Sequence, residues 1–146
     1  MIEIIDKENF EEILPLIVAY LEFYKVQYQD INIYREHFSQ FFGATSEESQ
    51  FGYRKDGQMV GFATVYFSHV TSIAGKVCVM NDLFTADKHR GEGVGRKLID
   101  HCKAYAKEKG AKRLQWSTAP DNLTAIKLYD SICTSKSNWD FYVWNI

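Results

Sequence analysis

At 146 residues, with 46% hydrophobic and 25% charged residues, the chain has the size and composition of one soluble globular domain spanning 1–146. A formal net charge of −2 argues against nucleic acid as a partner, and no apolar run approaches the roughly 20 residues that cross a bilayer. The acidic start, MIEIIDKENFEE, lacks the basic-then-apolar pattern of a secretion signal, so a cytoplasmic location is expected. Cys78, Cys102 and Cys133 are odd in number and lack metal-ligand spacing, which suits buried free thiols rather than a disulfide framework. The four histidines show no HExxH-type spacing, so no metal is expected.

The charge is uneven along the chain. Residues 1–56 hold eleven acidic and five basic residues, whereas residues 88–113 hold nine basic ones and are net positive. Two readings fit: an anionic ligand at one end with a cationic one at the other, or two solvated faces.

In chain order, MIEII is expected as a short strand. ENFEEILPLIVAYLEFYKVQ places Phe10, Ile13, Leu14, Ile17, Leu21 and Tyr24 at helical spacing, with Pro15 expected to kink or break the helix. INIYREHFSQFF offers a second helix that stops at Gly43. QFGYRKDGQMVGFATVYFSHV predicts two strands around an Asp56-Gly57 hairpin turn. GKVCVMNDLFT is a third strand with an interior place in the sheet. Val94, Leu98, Ile99, Cys102, Tyr105 and Ala106 then mark an amphipathic helix ending near Gly110. AKRLQWST is a strand, DNLTAIKLYDSI a short helix capped by Asp121 or Asn122, and NWDFYVWNI a closing strand. The expected order is β-α-α-β-β-β-α-β-α-β, an α/β domain with a mixed sheet.

The stretch KHRGEGVGRKL lies between a strand and a helix. The first amides of a helix lack internal partners and carry partial positive charge, glycine lets backbone approach a ligand closely, and Arg90 and Arg96 could add charge-assisted bonds. A phosphate suits such a loop. A Walker loop would require Gly-Lys-Ser/Thr, which is absent, and a dinucleotide GxGxxG would require glycine at Arg96 or Leu98. A glycine-rich turn with no ligand remains open on these residues alone.

With its neighbours, the loop resembles the GCN5-related N-acetyltransferase (GNAT) family. The resemblance rests on Arg90-Gly91-Glu92-Gly93-Val94-Gly95 as the [QR]-x-x-G-x-[GA] pyrophosphate loop, on the strand before it, on the W-x-T-x-x-x-N stretch from Trp116 to Asn122, and on the A-x-x-L-Y helix ending at Tyr129. The order of elements matches along nearly the whole chain, and the nearest likeness is to small polyamine- or histone-type acetyltransferases.

The resemblance implies acetyl-coenzyme A as co-substrate, with the pyrophosphate on the amides of Gly91, Glu92, Gly93, Val94, Gly95 and Arg96. The pantetheine arm would pair with the strand at Leu83, Phe84 and Thr85, in a gap beside the RLQWST strand, and touch Asn122. A backbone N–H near Leu83 would polarise the thioester carbonyl, and Tyr129 would protonate the departing sulfur. Many relatives have a catalytic Glu where this chain has Asn81. Asp82 follows and would point away from Asn81 on a regular strand, unless a bulge re-aims it. Asp82 is therefore the candidate base, with a structural carboxylate as the alternative. Glu22, Tyr24, Tyr28, Asp30 and Asn81 are the candidate amine-binding residues.

The expected activity is acetyl transfer to a small cationic amine, such as a polyamine or lysine-like compound, by direct transfer in a ternary complex. Alternatives are a protein lysine or N-terminus as acceptor, or a non-catalytic acyl-coenzyme A-binding module. A homodimer is an expectation from the family. The LYDSICTSKSNW stretch departs from the family's usual glycine after the Tyr helix, which leaves the chain path after Ile132 open.

Overall fold

The computed structural model describes residues 1–27, 30–42, 48–132 and 135–146. They form two compact units, residues 1–116 and 117–146. In the first, the elements run β1 (Ile2–Ile4), α1 (Phe10–Phe23), α2 (Ile31–Ser39), β2 (Glu48–Lys55), β3 (Gln58–Val70), β4 (Gly75–Thr85), α3 (Val94–Glu108) and β5 (Leu114–Gln115). The second holds α4 (Leu123–Ile132). The mixed α/β class expected from the sequence is the one observed.

The sheet order is β1-β2-β3-β4-β5, antiparallel until β4 and β5 pair in parallel. Asp56 and Gly57 make the β2–β3 turn with φ of 48° and 81°, the two positive values a two-residue type I′ turn requires. Arg54 ties β1 and α1 to this hairpin, donating from Nε to Glu3 (2.5 Å) and from Nη1 to Glu12 (2.6 Å).

Two apolar layers fix the sheet. On one face, Phe10, Ile13, Leu14, Ile17 and Leu21 of α1 and Phe38 of α2 pack with Met59, Phe62 and Phe84. These are the helical-period residues of α1 except Tyr24, which caps the helix and is exposed. The helix runs through Pro15 without interruption. The lost N–H bond is offset by the apolar face α1 buries on both sides of it. On the other face lies α3, whose buried residues are Val94, Leu98, Ile99, Cys102 and Ala106. Phe51 meets His101 and Tyr105 there, at centroid distances of 4.5 and 5.1 Å. Gly61 makes the close approach of α3 possible, since a Cβ at this position would stand 2.8 Å from Phe84 O and 2.9 Å from Val94 Cγ1.

Expectation and structure part in two places. The AKRLQWST strand contracts to Leu114–Gln115, paired with Cys78 and Val79. The closing strand expected over NWDFYVWNI is absent, and residues 135–146 carry no regular secondary structure. An apolar pattern makes a strand only where a neighbouring strand offers hydrogen bonds. Trp139, Phe141, Tyr142 and Trp144 are instead exposed. Within that unit, Asn122 Oδ1 accepts from Ala125 N (3.2 Å), which settles the cap of α4 on Asn122. The expected stop at Gly43 and the thiol of Cys133 fall outside the described residues.

His101 gives the fold a pH signature. Burial against Phe51 pushes its pKa below the usual 6.5, so the folded state favours the neutral ring. The associated stability is fully present above about pH 6.5 and is lost as pH falls through the lowered folded-state value. His101→Phe should therefore show a smaller drop in Tm between about pH 7 and about pH 5 than the parent protein. Equal drops in scanning calorimetry would contradict this assignment.

Candidate active site

The loop from β4 into α3 is built by two left-handed glycines. Gly91 and Gly93 have φ of 81° and 79°, and a carbon added at either would project into open space. A β-carbon is disfavoured in this conformation, so glycine is required to turn the chain here. Gly93 is the N-cap of α3 and offers no side-chain cap, which leaves the first-turn amides of Val94, Gly95 and Arg96 without a capping partner. Two left-handed glycines with open space beside them, leading into a helix start with no side-chain cap, fit an anionic phosphate group.

Both acids of the loop, Asp87 and Glu92, are paired with cations. The carboxylate of Glu92 is drawn to Lys55 Nζ (2.8 Å) and His89 Nδ1 (3.0 Å), and the Lys55 bond first, then His89, holds its pKa below the usual range. Arg90 pairs with Asp87 (2.8 Å), donates to Thr85 O (3.3 Å) and lies over the ring of Phe23 at 5.2 Å. Arg96 pairs with Asp100 (2.9 Å). Both arginine pairs are exposed, and such pairs cost little to break.

Upstream of the loop, β4 carries a bulge. Thr64 pairs with Asp82 but Val65 pairs with Met80, so Asn81 is an extra residue. One inserted residue reverses which face the following side chains occupy. Cys78, paired with Phe67, is on the α3 side, where Phe67 meets Tyr105. Phe84, paired with Phe62, is on the α1 side, and the register puts Asp82 there too. The expectation that Asp82 would point away from Asn81 holds only for a regular strand. Here Asn81 Nδ2 donates to Asp82 Oδ1 (3.2 Å), and both line one cavity.

That cavity has a volume of about 200 Å³. From α2 it takes His37 and Phe38, and from the residues after the helix Phe41. From the sheet it takes Glu48, Thr64, Val65 and Tyr66, besides Asn81 and Asp82. Asp82 is 9% exposed. A carboxylate offers about four acceptor sites, so one amide donor leaves capacity for a cation or a proton. Behind the cavity wall, Gln50 Nε2 donates to Thr64 Oγ1 (3.1 Å).

Beyond Val79, β4 pairs only with β3 among the described residues, because β5 ends at Gln115. The backbone groups of residues 80–85 that point away from β3, those of Leu83 and Thr85 among them, form a strand edge on which Thr85 O accepts from Arg90. This edge runs from the cavity to the glycine loop. An extended, amide-bearing chain could add to it as a strand does.

The other candidates divide. Asn81 lines the cavity; Glu22, Tyr24 and Asp30 are not among its lining residues. Asp30 caps α2, accepting from Asn32 N at 2.8 Å, and the Tyr24 ring packs on Tyr20 and Phe23. Tyr28 lies outside the described residues. Asn122 and Tyr129 belong to the second unit, on the cap and third turn of α4. The cavity acid Glu48 and its aromatic wall were missed by sequence reasoning. Glu48 begins β2 two residues before Gln50 on the same face, a pattern visible only once that strand's inward face is known. Among the described residues no group of His, Cys, Asp and Glu could hold a metal ion, and no helix is long and apolar enough to cross a membrane.

Known proteins resemble this chain in sequence and in fold. The Acetyltransferase (GNAT) family profile matches residues 12–133. The chain is 39% identical over 77 residues to D-amino-acid N-acetyltransferase HPA3 of Saccharomyces cerevisiae, covering 52% of this chain and 47% of that protein. It is 30% identical over 74 residues to thialysine N-epsilon-acetyltransferase of Bos taurus, covering 51% and 43%. These matches span about half the length of the curated relatives. In fold, it superposes on a ribosomal-protein-alanine N-acetyltransferase from Brucella melitensis biovar Abortus 2308 with a TM-score of 0.82 at 23% identity, over 100% of this chain and 99% of the other. An aminoglycoside N-acetyltransferase, AAC(6')-Iy, solved with CoA, gives 0.77 at 19% identity over 100% of both chains. With the family profile spanning most of its length, the chain belongs to the GNAT acetyltransferase family.

Proposed function

We propose that the protein transfers acetyl from acetyl-coenzyme A to the primary amine of a small cationic compound, such as a polyamine or lysine-like amine, by direct transfer in a ternary complex. One observation carries this reading. A single segment, residues 80–96, joins a buried carboxylate in a cavity, an open strand edge and an uncapped glycine loop, in that order. A volume of about 200 Å³ suits a short amine chain, being below the roughly 300–1,000 Å³ of sites for drug-sized ligands.

The co-substrate supplies a reactive acetyl thioester. Its pyrophosphate would rest on the amides of Gly91 to Arg96, with Arg90 and Arg96 released from their exposed acid partners. Its pantetheine would lie along Leu83 to Thr85, and Asn122 is assigned to it from the family motif. An amine near pKa ~10.4 must give up a proton before it attacks, which costs roughly 4–5 kcal/mol at neutral pH. Asp82, directly or through a water, is the group to collect that proton, and Asn81 orients its carboxylate. A backbone N–H near Leu83 would stabilise the charge that develops on the acetyl oxygen. The return of a proton to the sulfur is assigned to Tyr129 from the family motif alone.

Release of coenzyme A thiol, followed against polyamines, lysine analogues, aminoglycosides and basic peptides, tests the reading. Amine-dependent release is expected, and no release with any amine would overturn it. Asp82→Asn should lower kcat by about 10²-fold or more, and Tyr129→Phe should lower kcat well beyond its effect on coenzyme A binding. Parallel losses in kcat and binding would assign these residues to packing. Gly93→Val forces a branched side chain into a left-handed position at the loop and should weaken coenzyme A binding by about tenfold or more, read by calorimetric titration. Unchanged affinity in a folded variant would remove the loop from the site.

A further inference from the structure

We infer that Thr64 is a positioning residue for the proton step: held by Gln50, its hydroxyl fixes the water through which the proton of the amine reaches Asp82. This rests on the acetyltransferase reading above and specifies how its proposed base is served. Gln50 pairs with Thr64 and Thr64 with Asp82, so the three side chains form one row across β2, β3 and β4. Exposure rises along the row, from 1% at Gln50 through 5% at Thr64 to 9% at Asp82. Thr64 and Asp82 line the cavity, and Gln50 stands behind Thr64 on the next strand.

The row has a direction. Gln50 Nε2 donates to Thr64 Oγ1 at 3.1 Å. A hydroxyl has one proton to give and two lone pairs with which to accept. With Gln50 on one lone pair, the Thr64 proton turns away from Gln50 and toward the cavity. A carboxylate at the end of the row favours this order, because each dipole then points its positive end at the anion.

Asp82 can accept more than it does. Its Oδ1 accepts from Asn81 Nδ2 at 3.2 Å, and a carboxylate offers about four acceptor sites. Among the described residues, Gln50 is the side-chain partner of Thr64 and Asn81 that of Asp82. Side chains directly opposite on antiparallel strands have Cβ atoms about 4.5–5.5 Å apart, a spacing that one water can bridge. A water seated there accepts from Thr64 and from the ammonium, and donates to Asp82. An N–H bond of the ammonium breaks as its proton passes to the water. The water passes one of its own protons to Asp82, and the nitrogen keeps the electron pair that attacks the thioester. One ammonium and one carboxylate become one amine and one carboxylic acid, with the water unchanged. Thr64 neither gives up nor takes the proton; it sets where the water sits.

The test is a double-mutant cycle between Thr64→Val and Asp82→Asn, with Thr64→Ser as the conservative variant. It is read by thiol release with an amine the parent protein turns over, by coenzyme A titration and by thermal unfolding. Thr64→Val keeps the shape and removes the hydroxyl. It should lower kcat about tenfold, with amine KM and coenzyme A affinity changed less than about twofold. Thr64→Ser should recover most of that loss, and in the Asp82→Asn background Thr64→Val should cost little more. A parent-like kcat in Thr64→Val, a loss that serine does not restore, or the same fold loss with and without Asp82 overturns the inference while leaving the transferase standing. A parent-like kcat in Asp82→Asn removes the base and this inference with it. If no amine is turned over, the transferase reading fails on its own, and thermal unfolding decides whether Thr64 is coupled to Asp82. A Tm loss in the double variant smaller than the sum of the single losses supports the coupling, and additive losses refute it. Should Thr64→Val fail to fold, Thr64→Ala takes its place in the cycle.

Discussion

One extra residue turns β4 over. Before Asn81, alternate side chains of the strand pack toward α3; after it, the same alternation carries Asp82 and Phe84 to the α1 and α2 side. A strand with period two cannot otherwise place Met80 and Asp82 on opposite faces. The bulge sits in a strand held along its length by β3, so its geometry is set by the ladder before and after it. Asp82 therefore gains burial and a cavity without any loop having to order around it, and the amide of Asn81 fixes one of its oxygens.

The same strand then serves a second purpose. Because β5 pairs only with Cys78 and Val79, the edge of β4 beyond them stays open, and it leads into a loop whose shape depends on Gly91 and Gly93. Gly61 lets α3 settle close to the sheet, placing the helix start directly after this edge. Glu92 stands beside the proposed phosphate site, but Lys55 and His89 hold its charge, and Lys55 ties the loop to the β2–β3 hairpin. Positive backbone potential and neutralised acid act together at the loop, while Asp82, at the other end of the segment, lines the cavity.

Much of this was legible in the sequence where local chemistry decides. The Asp56-Gly57 turn, the span of β4 and the amphipathic period of α3 follow from residue type and spacing, and they agree with the structure. The glycine loop was legible because positive φ leaves a compositional trace. Other features depend on long-range pairing, which leaves none. The facing of Asp82 required the bulge register, and Glu48 required knowledge of which face of β2 meets α2. The aromatic tail shows the converse: NWDFYVWNI has strand composition, yet composition supplies no hydrogen-bonding neighbour. Asp30 carried charge that suggested cation binding, whereas its side chain caps a helix.

The central claim is that one continuous segment joins phosphate loop, strand edge and cavity carboxylate into a single site. Backbone amide NMR during titration with coenzyme A tests it most directly. The account predicts concerted shifts at the amides of Gly91 to Arg96 and at those of Leu83 to Thr85, saturating at one equivalent. Shifts confined to the loop, or located away from both stretches, would contradict it.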